Sequence, residues 1–166
     1  AIATRPELAI LGCNTESLRS LRESMIGTPL ISKSLPKVQA AWGVTCLAFL
    51  DAVRNHSSKA SGTYYLKNYL QYFDMIFCSF EELNRTLSRD GKCALVAQES
   101  YYKDILVELP TIFTEMGESL GWRLSHRSDF VVKYNMANTN RRSMKYRKTS
   151  GIAESVLLFS KAPQGE

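Results

Sequence analysis

Between Phe80 and Ser100 the chain reads FEELNRTLSRDGKCALVAQES. There a helical repeat breaks off at Arg89-Asp90-Gly91-Lys92, and a short apolar run, Cys93 to Val96, begins at once. A helix that stops on a glycine turn and feeds directly into a strand is the helix-to-strand joint of a wound α/β sheet. The expected fold class is therefore α/β.

The chain has 166 residues, of which 45% are apolar, enough for one folded domain with a real core. Nowhere do about 18 apolar residues run together without a charge. The start, Ala1-Ile2-Ala3-Thr4-Arg5, lacks a signal-peptide core, so a soluble cytoplasmic protein is expected. Cys13, Cys46, Cys78 and Cys93 are widely spaced and read as small buried hydrophobes, supporting neither a zinc site nor a disulfide framework. His56 and His126 are the only histidines and read as surface residues, which argues against a histidine-based metal cluster or a Ser-His-Asp triad.

Residues 1–62 read as a helical segment, and 63–166 as the part that forms the sheet. Thr4-Arg5-Pro6-Glu7 is a capping box with proline in the first turn of a helix stopped by Gly12. A second helix, capped by Asn14 or Thr15, presents Leu18, Leu21 and Met25 and ends at Gly27. From Pro36, Val38, Ala41, Trp42, Phe49, Leu50 and Val53 recur at helical spacing. A long helix follows from about Thr63, carrying one stripe from Leu66 to Leu87.

The remaining elements alternate. Cys93 to Gln98 predicts a strand, and Tyr101 to Leu120 a helix that Pro110 kinks and Gly117 and Gly121 bracket at its end. Trp122 to Lys133 predicts a strand with Leu124 and His126 on one face and Phe130-Val131-Val132 as its buried end. Ser155 to Lys161, SVLLFSK, predicts the last strand, followed by a polar tail.

Between these two strands, Tyr134 to Ile152 is too long for a plain hairpin turn, and loops of this length are usually functional or disordered. From Lys133 to Lys148 there are six positive residues, Lys133, Arg141, Arg142, Lys145, Arg147 and Lys148, and no acidic one. The net charge is +5, so the rest of the chain sums to about −1. Interleaved with Asn135, Asn138, Asn140, Tyr134 and Tyr146, these cations suit a polyanion, the charges neutralising phosphates while amides and rings hydrogen-bond or stack. Arg141, Arg142, Lys145, Arg147 and Lys148 are the expected DNA-binding residues.

Several segments together carry a family resemblance. The joint L-x-R-x-L-x-x-x-G-x-x-x-x-V resembles the segment after the catalytic loop in S-adenosylmethionine-dependent DNA amino-methyltransferases, which modify the exocyclic amine of adenine or cytosine. The end, NRRSMKYRKTSGIAESVLLFSK, is similar to their Arg-rich lead into E-S-V-L-x-F-x-K. YYKDILVELPTIFTEMGESLGWRL looks like their helix after the fifth strand and the start of the sixth. ATRPELAILG and LRSLRESMIGTP resemble the helical segment that follows the Pro-Pro-Tyr loop in one subgroup.

The departures are informative. The family's Gly-rich cofactor loop and its Asp/Asn/Ser-Pro-Pro-Tyr/Phe loop have no counterpart, since no two prolines are adjacent and no Gly-x-Gly occurs. The resemblance thus implies a partial Rossmann-like domain, the C-terminal half of a methyltransferase, supplying sheet scaffold and DNA contacts. S-adenosylmethionine and the catalytic residues would belong to an N-terminal half, in the same polypeptide or on a partner. The same residues are also compatible with a non-catalytic nucleic-acid-binding module and with a methyltransferase acting on RNA or a small molecule. Gln98 and Glu99, at the carboxyl end of the Cys93–Gln98 strand, stand where ligands approach open α/β sheets. Tyr64, Tyr65, Tyr69, Tyr72, Tyr101 and Tyr102 include candidates for base stacking, but at helical spacing they read mainly as packing residues, and none is assigned.

Overall fold

The computed structural model describes residues 10, 12, 15–132 and 152–161. The first helix given bounds among the described residues, α1, spans Thr15–Ser24. A connector then leads to a single 3-10 turn at Ala40–Trp42 and to α2, Val44–Asn55. A wide turn at Ser61–Tyr65 opens α3, Leu66–Thr86. Strand β1 (Lys92–Gln98), the short strands β2 (Ser100–Tyr102) and β3 (Ile105–Val107), helix α4 (Leu109–Ser119), β4 (Trp122–Val132) and β5 (Ile152–Lys161) complete the order.

The architecture is mixed α/β. β1, β5 and β4 form one sheet in that order, and both pairings are antiparallel, so β1 and β4 run in the same direction on either side of β5. Cys93, Leu95 and Ala97 lie opposite Phe159, Leu157 and Ser155, which puts a near-continuous apolar surface on one face. Helix α4 rests on that face, with α2 and α3 packed against it. Gly117 lies within α4, where a β-carbon would come 3.0 Å from the Trp122 ring and 3.4 Å from Phe159. It therefore allows close helix-to-sheet approach, whereas Gly121, at φ +80°, ends the element. Trp122 also stacks on Phe80 at 5.4 Å and 19°, a contact worth about 0.5–1.5 kcal/mol beyond its buried area.

A long-range contact starts α2. Gly43, at φ +88°, has no side chain to cap the helix, and the Glu115 carboxylate of α4 fills the space instead. It accepts hydrogen bonds from the Thr45 backbone N–H at 2.9 Å and the Thr45 hydroxyl at 2.7 Å. An acid at a helix N-terminus satisfies an orphan donor and meets the positive end of the helix dipole. Gly43 also divides the periodicity running from Val38 to Val53 into the 3-10 turn and α2, where the spacing had suggested one helix.

Several expectations are corrected. The stretch Tyr101 to Leu120 is not one helix, because Ser100–Val107 forms a hairpin whose two-residue turn, Lys103-Asp104, places Lys103 at φ +56°. The aromatic and β-branched residues Tyr101, Tyr102, Ile105 and Val107 favour the pleat there, and α4 begins only at Leu109, with Pro110 in its first turn rather than at a kink. Leu124 and His126 do not share a face, since a bulge between them sends Leu124 toward Phe159 and His126 toward Leu158. Nor is the far end of β4 buried, for Phe130 is 55% and Val131 73% exposed beyond the reach of α4. Among the cysteines, Cys46 is buried and Cys93 half-buried, but Cys78 is exposed. The basic stretch Lys133–Lys148, the expected first helix apart from Ile10 and Gly12, Cys13 and the polar tail lie outside the described residues.

Candidate functional site

Helix α3 carries two faces with different work. Tyr64, just before it, and Asn68 and Gln71 within it face the connector at intervals of four and three residues. The Tyr64 hydroxyl donates to the Pro29 carbonyl at 3.1 Å and Asn68 Nδ2 to the Thr28 carbonyl at 3.0 Å. Gln71 donates to the Leu30 carbonyl at 2.9 Å and accepts the Ser32 N–H at 2.8 Å, replacing for that segment the pairing that a strand would supply. An irregular connector is thereby held flat along the helix.

The neighbouring face presents Tyr65, Tyr69 and Tyr72 toward the β2–β3 hairpin, which contributes Tyr101 and Tyr102. Together with Asn68, Ser100, Val107 and Leu109 they line a cleft of about 390 Å³. Tyr102 is buried at its floor, with the rings of Tyr65 and Tyr69 5.2 and 5.7 Å away. Burial first, and then the adjacent Tyr102, Tyr72 and Tyr65 rings, pushes the Tyr69 phenol up to about 12; burial also raises Tyr72. Tyr69 and Tyr72 are therefore uncharged at neutral pH.

Two devices fix this geometry. In the wide turn at Ser61–Tyr65 the Leu66 N–H reaches back to the Ser61 carbonyl, and the extra residue turns Tyr65 toward Tyr102. Single turns of this kind occur often at functional sites. The Ser61 hydroxyl, itself buried, hydrogen-bonds to the Tyr102 hydroxyl and to Ser58 Oγ at 2.7 Å. At the hairpin turn, His56 Nδ1 accepts the Ser58 N–H at 3.0 Å, so the neutral ring carries its proton on Nε2 and donates it to Asp104 at 2.8 Å. The expectation of a surface His56 is corrected: its side chain is only 16% exposed and clamps the hairpin to the end of α2. His126 is exposed.

A larger groove of about 990 Å³ runs between α1 and the connector, lined by residues such as Glu16, Glu23, Arg19 and Lys33. Arg19 and Glu23 pair at 3.0 Å across one turn of α1, a solvated surface arrangement. Of the two spaces, the tyrosine cleft has the convergent, preorganised walls of a ligand site.

The expected site residues fare unevenly. Gln98 is exposed at the carboxyl end of β1, with Glu99 half-buried beside it, and the chain turns from there into the cleft through Ser100. Five of the six tyrosines converge there, while Tyr64 reaches the connector. The hairpin was the missing signal, because reading 101–120 as a helix separates Tyr101 and Tyr102 from the α3 tyrosines. Arg141, Arg142, Lys145, Arg147 and Lys148 lie outside the described residues, in the segment joining β4 to β5.

Among the described residues the backbones of Gly43, Gly62, Gly91 and Gly117 are covered by this chain's own Glu115, Arg54, Leu87 and Trp122 atoms, so none of these four offers a glycine cradle for S-adenosylmethionine. Among the described residues no cluster of three or more His, Cys, Asp or Glu could hold a metal, and no helix is long and apolar enough to cross a membrane. Comparison with protein-family models, with curated proteins and with solved structures finds no match for the chain.

Proposed function

We propose that this chain is the C-terminal part of a Rossmann-like, S-adenosylmethionine-dependent DNA amino-methyltransferase, supplying sheet scaffold and DNA contacts while the cofactor and catalytic loops lie elsewhere. One observation carries the reading: β5 is threaded antiparallel between β1 and β4, which run the same way and are joined through a helix. Strand-helix-strand connections that bring two strands to the same direction are also the joints of wound α/β sheets, to which further strands can be added at an edge. Here the outer edge of β1 has no partner strand among the described residues. The face carrying Val96, Val156 and Leu158 is open as well, Val96 being 63% exposed. Additional strands beside β1 would extend the sheet.

In this reading the chain performs no methyl transfer by itself. The basic segment between β4 and β5 holds the phosphate backbone, and the sheet positions it relative to the catalytic half. The test has two arms. Binding of duplex DNA should weaken steeply with salt, and replacing Arg141, Arg142 and Lys145 with Ala should flatten the log–log slope by about three units. Methyl transfer to DNA should require a supplied polypeptide carrying the Gly-rich and Pro-Pro-Tyr loops. Methylation by this chain alone would sink the division of labour, and an unchanged salt slope would remove the DNA contacts.

A further inference from the structure

We propose that the tyrosine cleft at the carboxyl end of β1 receives one unstacked nucleobase from a bound nucleic acid strand. The inference takes its class of ligand from the nucleic-acid reading above, but its geometry stands apart from the basic segment.

Four observations converge. The walls are aromatic and preorganised: Tyr102 is buried and held by Ser61, while Tyr65 stands 37% exposed at the rim, where a ring can enter and stack. The lining includes no charged side chain, so a phosphate or carboxylate would find no counter-charge, whereas a neutral heterocycle loses nothing on that account. The cleft's 390 Å³ falls at the small end of ligand pockets, which run from roughly 300 to 1,000 Å³. Polar edges are nevertheless present, in Ser100 and in Asn68, whose amide plane is fixed by its bond to Thr28. Every base offers a π-face, so stacking of this kind tolerates sequence.

The position also suits a strand held elsewhere on the same sheet. The chain passes from β1 straight into Ser100 and Tyr101, so the cleft lies at the end of the sheet where ligands approach the strands of open α/β folds. A base reaching this cleft must leave its stack, which is least costly for a single-stranded or mispaired nucleotide.

The experiment uses the whole chain and a short single-stranded oligonucleotide carrying 2-aminopurine. Binding at low salt should lower the 2-aminopurine fluorescence, and an abasic strand of equal length should bind about 5- to 100-fold more weakly. Tyr65→Ala should weaken binding by a similar factor without changing the salt slope, and Tyr65→Phe should retain the affinity. Because the abasic comparison needs no variant, a misfolded Tyr65→Ala protein would leave the test intact. Salt-dependent binding with unchanged fluorescence overturns the cleft and leaves the basic segment standing. Quenching without salt dependence does the reverse, and absence of binding overturns both.

Discussion

The two faces of the sheet are built to different standards. On one, Leu157 and Phe159 are fully buried beneath α4, and Trp122 is stacked on Phe80 and hydrogen-bonded through its indole N–H to Asn84 at 2.9 Å. On the other, Val96 and Phe130 are exposed and Val156 and Leu158 half-buried, interspersed with polar residues and left uncovered by the described helices. Solvated antiparallel sheets normally turn polar residues outward, as Gln98, Glu154, His126 and Ser128 do here, and these apolar residues interrupt that pattern. The first face explains why the chain folds, and the second why it is read as part of something larger.

The contrast can be broken by substitution. Trp122→Ala should cost about 3–5 kcal/mol in urea unfolding, because it opens a cavity against Gly117, Phe80 and Phe159 together. Gly43→Ala should cost about 2–3 kcal/mol, since the new β-carbon would collide with the Glu115 carboxylate in a backbone conformation that suits glycine. Loss of less than ~1 kcal/mol in either variant would mean that the covered side is looser than described.

Titration probes the two ends of the covered side in opposite pH ranges. Burial, and then Glu115, pushes the Cys46 thiol from 9.0 up to about 12. The native state therefore resists losing that proton, and this contribution is complete below pH 9.0 and drains away as the pH rises toward about 12. Cys46→Ala should flatten the alkaline limb of Tm against pH. At the open end, hydrogen bonds from Arg127 and then Ser155 hold the Asp129 carboxyl below its usual 3.8. Its contribution is present above that value and disappears as acid carries the pH through the lowered one. Asp129→Asn should remove that small part of the acid limb. Smallest of all, Val96→Thr should change stability by under ~0.5 kcal/mol, as on any solvated surface. A larger loss, measured by urea unfolding, would show that this face is already covered.

Much of this frame was legible in the residues. The joint at Gly91, the long helix through Phe73, Phe77 and Phe80, and the strands at Cys93, Trp122 and Ser155 all follow from local periodicity and glycine punctuation. What escaped depends on residues far apart. Glu115 caps a helix that begins seventy residues earlier, and nothing around Gly43 announces it. The hairpin at Ser100–Val107 lacks the Asn-Gly or Asp-Gly turn that would have marked it, so its apolar residues were absorbed into the following helix. The cleft emerges only once the hairpin is recognised, since it exists where Tyr65, Tyr69 and Tyr72 meet Tyr101 and Tyr102.

The threading of β5 between β1 and β4 sets an order of assembly. The strand that joins the sheet is translated after both its neighbours, and the stretch from Gln98 to Ile152 separates β1 from the start of its partner. At roughly 5–20 residues per second, a ribosome leaves the edges of β1 unpaired for several seconds. During that interval the nascent chain displays an apolar strand that any other strand can template on. The yield of folded protein should therefore respond to the speed of synthesis across β4 and the basic segment.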